Sequence, residues 1–247
     1  MGPWRLELLR VWRTRRVIAL AATFLILGLG VPVLTYYLPE LVKNAGNGVR
    51  IVAPKPTPAD AIAGFASNVA QLGTLVVVVV AAANLSIDAH PALAAFYRTR
   101  VHRPILLVLP RYTVVTAASV ATLALAALGA WYETTVLLGS VGFGALIGGL
   151  ALEAIWFCFV TSIVAAFTSA IRGVLGVVGC SIALLLALAL LGNLPSAFSW
   201  LPTRLAASGA DLLQHRAGDV WHAVVVAGVA TVAAVSLAVN RFGKREL

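Results

Sequence analysis

The sequence predicts an all-α integral membrane protein with six transmembrane helices, and three observations lead there. Of its 247 residues, 61% are hydrophobic and 11% charged, whereas a soluble domain carries about a quarter charged. Mean hydropathy is +0.97. Six apolar runs, at 17–37, 62–83, 106–130, 146–170, 174–194 and 220–239, each come near the length of about 20 residues that a crossing needs. The net charge of +9 sits between these runs and not on a soluble face. That is the pattern of topology control, and it argues against nucleic-acid binding.

The chain reads as one transmembrane domain over 1–247. Residues 1–16 hold Arg5, Arg10, Arg13, Arg15 and Arg16, with Trp4, Leu8, Val11 and Trp12 on one helical face. Arg5 and Arg15 intrude on that face, so the expected element is a short, imperfectly amphipathic helix lying in the membrane interface. The apolar run that follows is longer than the roughly 7–15 residues of a signal-peptide core, and no small-residue cleavage site follows it. It therefore reads as span one, and 17–83 holds spans one and two. The segment 84–105 is polar and basic, 106–194 holds spans three to five, and 220–247 holds span six and a tail. Spans three and four are joined around Glu133, and spans four and five by Ile171, Arg172 and Gly173.

Two loops exceed what connection requires. Residues 39–60 are polar and contain Pro54, Pro56 and Pro58, which favours an extended course. Residues 195–219 are half apolar, with Phe198, Trp200, Leu201, Leu205, Leu212 and Leu213. That mixture fits short re-entrant or interfacial helices, with an ordinary ordered loop as the alternative.

Basic residues assign the sides. With the N-terminus inside, the inner segments hold thirteen of the 18 Lys and Arg: Arg5, Arg10, Arg13, Arg15, Arg16, Arg98, Arg100, Arg103, Arg111, Arg172, Arg241, Lys244 and Arg245. The outer segments hold the other five: Lys43, Arg50, Lys55, Arg204 and Arg216. This bias predicts both termini in the cytoplasm. The alanine- and valine-rich composition fits a bacterial inner membrane.

The segment 84–105 is the long interruption between spans that carries clustered positive charge. Asp88 followed by Pro91 is a plausible helix start. Leu93, Phe96 and Tyr97 then fall at i, i+3 and i+4, and the polar side presents Arg98 and Arg100. From spacing alone two readings stay open: a helix that inserts into a groove of a soluble partner, or a loop whose arginines only anchor topology.

This region resembles the second-to-third-span region of type-2 ABC exporter permeases, the class of drug, antibiotic and polysaccharide exporters. Asn68 and Gln71 match the amide-bearing span, Asp88 the acid before the coupling helix, Arg103 the arginine of the turn after it, and Arg111 the basic residue opening the next span. Arg100 stands where that turn has proline, and His102 where it has serine. The basic N-terminus, six spans, aromatic segment before the last span and closing RFGKREL extend the resemblance over nearly the whole chain. It implies a coupling helix carrying Asp88, Leu93, Phe96, Tyr97, Arg98, Arg100 and Arg103, docked on a separate ATPase. Two ATPase copies would lie beneath two permease subunits, identical or related, exporting an amphipathic substrate. No G-x-x-x-x-G-K-[ST] sequence is present. ATP and Mg would therefore bind the partner, and this chain itself would bind no cofactor.

Polar groups within spans are candidates for a translocation path: Asn68, Gln71 and Thr74, three residues apart, and Glu153. The first three either line a path or bond to neighbouring helices. Glu153 is the acid well inside a span, where a carboxylate is costly. It serves transport or gating, or else lies near the outer interface or pairs structurally. Gly144 with Gly148, and Gly173, Gly176 and Gly179, mark faces of close packing. Cys158 and Cys180 fall at different depths, which disfavours a disulfide. No metal-ligand cluster, catalytic His-x-x-x-His or Gly-x-Ser-x-Gly elbow is found, so no catalytic residue is assigned. The alternatives to an ABC subunit are an ion-coupled secondary transporter, which usually shows internal repeats and interrupted helices, and a non-transporting membrane assembly factor.

Overall fold

The structure, a computed structural model, describes residues 3–45, 55–86, 105–192, 200–213 and 220–244. Among them every regular element is helical, and six helical segments are long and apolar enough to cross a membrane.

Helix α1 (Pro3–Arg13) is parted from α2 (Arg16–Ala45) by Thr14 and Arg15. Arg15 takes the left-handed conformation, φ 55°, which breaks the helix and lets α1 leave the line of α2. The next span starts at Pro58, four residues before its apolar run, because Thr57 and Asp60 form a capping box. The Thr57 N–H donates to Asp60 Oδ2 at 2.9 Å, and the Asp60 N–H donates to Thr57 Oγ1 at 3.3 Å. Pro58 in the first turn is pre-set for the helix. This span comprises α3 (Pro58–Asn68), a π-helical turn at Val69–Gly73, and α4 (Thr74–Leu85).

The remaining elements are α5 (Ile105–Leu137), α6 (Phe143–Thr168), α7 (Val174–Gly192), α8 (Thr203–Leu213) and α9 (Trp221–Lys244). Helix α5 runs seven residues beyond its expected end and α2 eight beyond its own, so both project past their apolar runs. Helix α8 lies inside 195–219, the half-apolar segment.

Helix α6 is the centre, packing on α4, α5, α7, α8 and α9. Its apolar window is 61% buried, against 17% for α7 and for α9, which form the periphery. Helix α2 packs along α5 more extensively than any other described pair. The reason is Gly28: a Cβ there would run into the carbonyl of Ala126, so the two backbones approach as only glycine permits. Phe24 inserts between the π turn and α6, edge-on to Phe157 at 5.8 Å and over Gly73. By contrast, Gly144, Gly173 and Gly179 face open space. Glycine spacing finds small residues, but which of them meets a backbone depends on the crossing.

Candidate functional sites at the base and in the pocket

Polar chemistry concentrates in two places. The first is the end of the bundle where α1, the start of α2, the end of α4 and the start of α5 come together. Helix α1 lays Glu7 and Val11, one turn apart, against α5, and leaves Trp4, Leu8 and Trp12 exposed. The face read from sequence is thereby divided: Val11 belongs to the bundle, and the tryptophans to the surroundings. Arg111 Nε donates to Glu7 Oε1 at 2.9 Å, with both side chains buried, and Arg10 lies 3.6 Å from the other oxygen of Glu7. Nearby, Arg16 donates to the carbonyl of Ala83 at 2.6 Å and to Asn84 Oδ1 at 3.2 Å. A cation here satisfies a carbonyl that the end of α4 leaves without an intrahelical donor.

Glu7 escaped the sequence reading. Its signal was present: it is the one acid among five arginines, one helical turn before Val11. Its partner lies 104 residues away, which local spacing cannot show. Of the proposed coupling residues, Asp88, Leu93, Phe96, Tyr97, Arg98, Arg100 and Arg103 all lie outside the described residues. The described helices that flank that segment are α4, which ends by Ser86 where Arg16 of α2 is bonded, and α5, which begins at Ile105 and carries the Arg111 that holds α1.

The second place is the middle of the bundle. Of the candidate path residues, Thr74 is buried and accepts from Trp156 Nε1 at 2.8 Å. Asn68 is half-buried and donates back to the Gly64 carbonyl at 2.8 Å. Gln71 is exposed. The π turn explains this dispersal. The Thr74 N–H reaches back to Val69 O, five residues earlier, and the wider turn shifts the phase of α4 relative to α3. A three-residue spacing across it therefore does not hold one face. Further polar groups tie α5 to α6: Tyr112 donates to the Cys158 carbonyl at 2.9 Å, and Thr116 and Thr161 share a bond of 2.9 Å. Cys158 and Cys180 are free thiols.

Glu153 stands apart from all of these. It lies ten residues into α6 from Phe143, or about 15 Å along the axis, so it is deep in the span and not at its rim. It is 4% exposed, and neither carboxylate oxygen has a hydrogen-bond partner among the described residues. It lines an apolar pocket between α3, α5, α6 and α8, with Phe65, Val69, Leu123, Leu146, Gly149 and Gly209 among its walls. Helix α8 covers this pocket. Leu205, Ser208 and Gly209 turn inward, and a Cβ on Gly209 would sit 3.9 Å from Glu153 Oε2.

Comparison with known proteins adds a transmembrane relative. The chain is 22% identical over 213 residues to the uncharacterized transmembrane protein YxlG of Bacillus subtilis (strain 168), covering 85% of this chain and 83% of that one. No protein-family model matches the chain. The structure and the relative together make this a multi-span membrane protein.

Proposed function

We propose that the chain is the membrane-spanning subunit of an ATP-driven exporter of the type-2 ABC class, acting with a separate ATP-binding polypeptide. The observation that carries this reading is the convergence at the base. Helix α1 is held to α5 by the buried Glu7–Arg111 pair, and Arg16 at the start of α2 is bonded to the end of α4, so basic residues brace both helices that flank the basic segment 87–104. A soluble motor that grips that segment thereby gains a lever on α4 and α5 together, and through them on the central helix α6. Both termini and this base are cytoplasmic on the charge bias, and α1 lies at headgroup depth with Trp4 and Trp12 in the interface. Closure of two ATPase copies would push the segments of two permease subunits and tilt the spans outward around an amphipathic substrate. Arg98 and Arg100 orient the docking.

Reversing both arginines, Arg98→Glu with Arg100→Glu, tests the arrangement. Loss of the ATPase from the purified assembly, or uncoupling of ATP hydrolysis from export, is the expected result. Unchanged assembly together with unchanged transport would overturn it and favour an ion-coupled transporter or an assembly factor.

A further inference from the structure

A polar side chain turned outward at the middle of a membrane span needs a partner, because the bilayer core offers no water to bond it. Gln71 is in that position. It is the fourteenth of the 28 residues of Pro58–Leu85. Each end of the span is therefore about 20 Å of helix rise away, more than the hydrocarbon half-thickness of about 15 Å. Other polar residues of this span are bonded within the subunit. Asn68 and Asn84 each donate to the carbonyl four residues earlier at 2.8 Å, and Thr74 accepts from Trp156. Gln71 is exposed and makes no such bond among the described residues. The π turn is the cause: it keeps Val69, Gly73 and Thr74 on the buried side while carrying Gln71 and Leu72 outward. The outward face continues with Leu75 and Val79, 42% and 48% exposed. The amide is the polar point on an otherwise apolar strip.

We propose that this strip is the seam between two copies of the chain, with the two Gln71 amides bonded to one another across a twofold axis. A carboxamide is positive at its N–H groups and negative at its oxygen. About a twofold axis it is therefore its own complement, each N–H donating to the other copy's oxygen. No charged group on the strip calls for a counter-charge from a different chain, and leucine and valine meet their like by simple contact. Lipid is the poorer occupant, since acyl chains leave both ends of the amide unbonded. The inference deepens the export reading, on which it rests for its biological sense. Of the two subunits which that reading requires, it makes the second an identical copy and names the span through which they meet. The self-association itself requires no ATPase.

The full-length chain carrying Cys158→Ala and Cys180→Ala is purified, placed in lipid vesicles and oxidised with copper phenanthroline, after addition of either Leu75→Cys or Val229→Cys. Val229 is 66% exposed, but on the peripheral helix α9. Leu75→Cys should give a disulfide-linked dimer and Val229→Cys should not. Self-association is then read from energy transfer between donor-labelled and acceptor-labelled copies as lipid is added. Gln71→Leu should weaken it about tenfold, the size expected for polar contacts between helices in a bilayer, while circular dichroism shows the protein folded. Should Gln71→Leu fail to fold, the two cysteine positions decide. Absence of a Leu75→Cys dimer, equal linking through Val229→Cys, or undiminished association of folded Gln71→Leu would overturn the proposal. So would ready labelling of Gln71→Cys by a membrane-impermeant maleimide, which would put this residue on an aqueous path. The vesicles hold this chain alone, so no outcome depends on whether an ATPase binds, and the seam and the export reading can fail separately.

Discussion

Two glutamates in this bundle are buried to nearly the same degree, Glu7 at 5% exposure and Glu153 at 4%, yet their surroundings are opposite. Glu7 accepts from Arg111 at 2.9 Å, and Arg10 flanks it. Glu153 sits over a pocket with no donor among the described residues. Burial alone therefore does not describe a buried charge; its partners distinguish the two. A carboxylate with a partner holds α1 to α5, and its cost is offset within the fold. A carboxylate with no partner among the described residues is a cost that no bond there offsets.

The comparison can be broken by one substitution made twice. Glu7→Met leaves Arg111 buried beside an apolar side chain and should destabilise the protein by about 3–5 kcal/mol. The measurement is a detergent-unfolding curve, and a neutral result would mean that the pair is solvated and idle. Next comes Gly28→Ala, whose methyl meets the Ala126 carbonyl. Separation of α2 from α5 should cost about 1–3 kcal/mol in the same assay. Glu153→Met should move the other way, raising stability by about 1–3 kcal/mol, because it removes a buried group that has no bond to lose. A loss at this position instead would place Glu153 with Glu7 among the structural charges. The smallest expected effect is Thr74→Val, which takes the acceptor from Trp156 and should cost about 0.6 kcal/mol, the average for such contacts in bilayers. A cost as large as that of Glu7→Met would show that α4 and α6 depend on this one bond.

Much of this was legible in the sequence, because hydropathy and capping are local. Each of the six apolar runs falls within or beside one long helix. Glu153 announced itself as a lone acid in an apolar run, and α8 arose where the aromatic and aliphatic residues of 195–219 were mixed with polar ones. What escaped is non-local. The partner of Glu7 lies 104 residues away, and that of Thr74 lies 82 away. The pattern of small residues named Gly144 and Gly173, while the close approach belongs to Gly28, because its effect depends on where Ala126 crosses. Gln71 looked like a neighbour of Thr74 only while the helix was taken to be regular. The π turn at Val69–Gly73 has no hydrophobic signature and could not be read from periodicity.

The central claim is that this bundle is driven by a separate ATPase gripping the segment 87–104 between α4 and α5. The direct measurement is purification of the tagged full-length chain in mild detergent from its native membrane, with identification of what accompanies it and assay of ATP hydrolysis. The account predicts a companion polypeptide with a phosphate-binding G-x-x-x-x-G-K-[ST] loop and vanadate-sensitive hydrolysis, both lost with Arg98→Glu and Arg100→Glu. A preparation of intact protein carrying no ATPase and no such activity would contradict it.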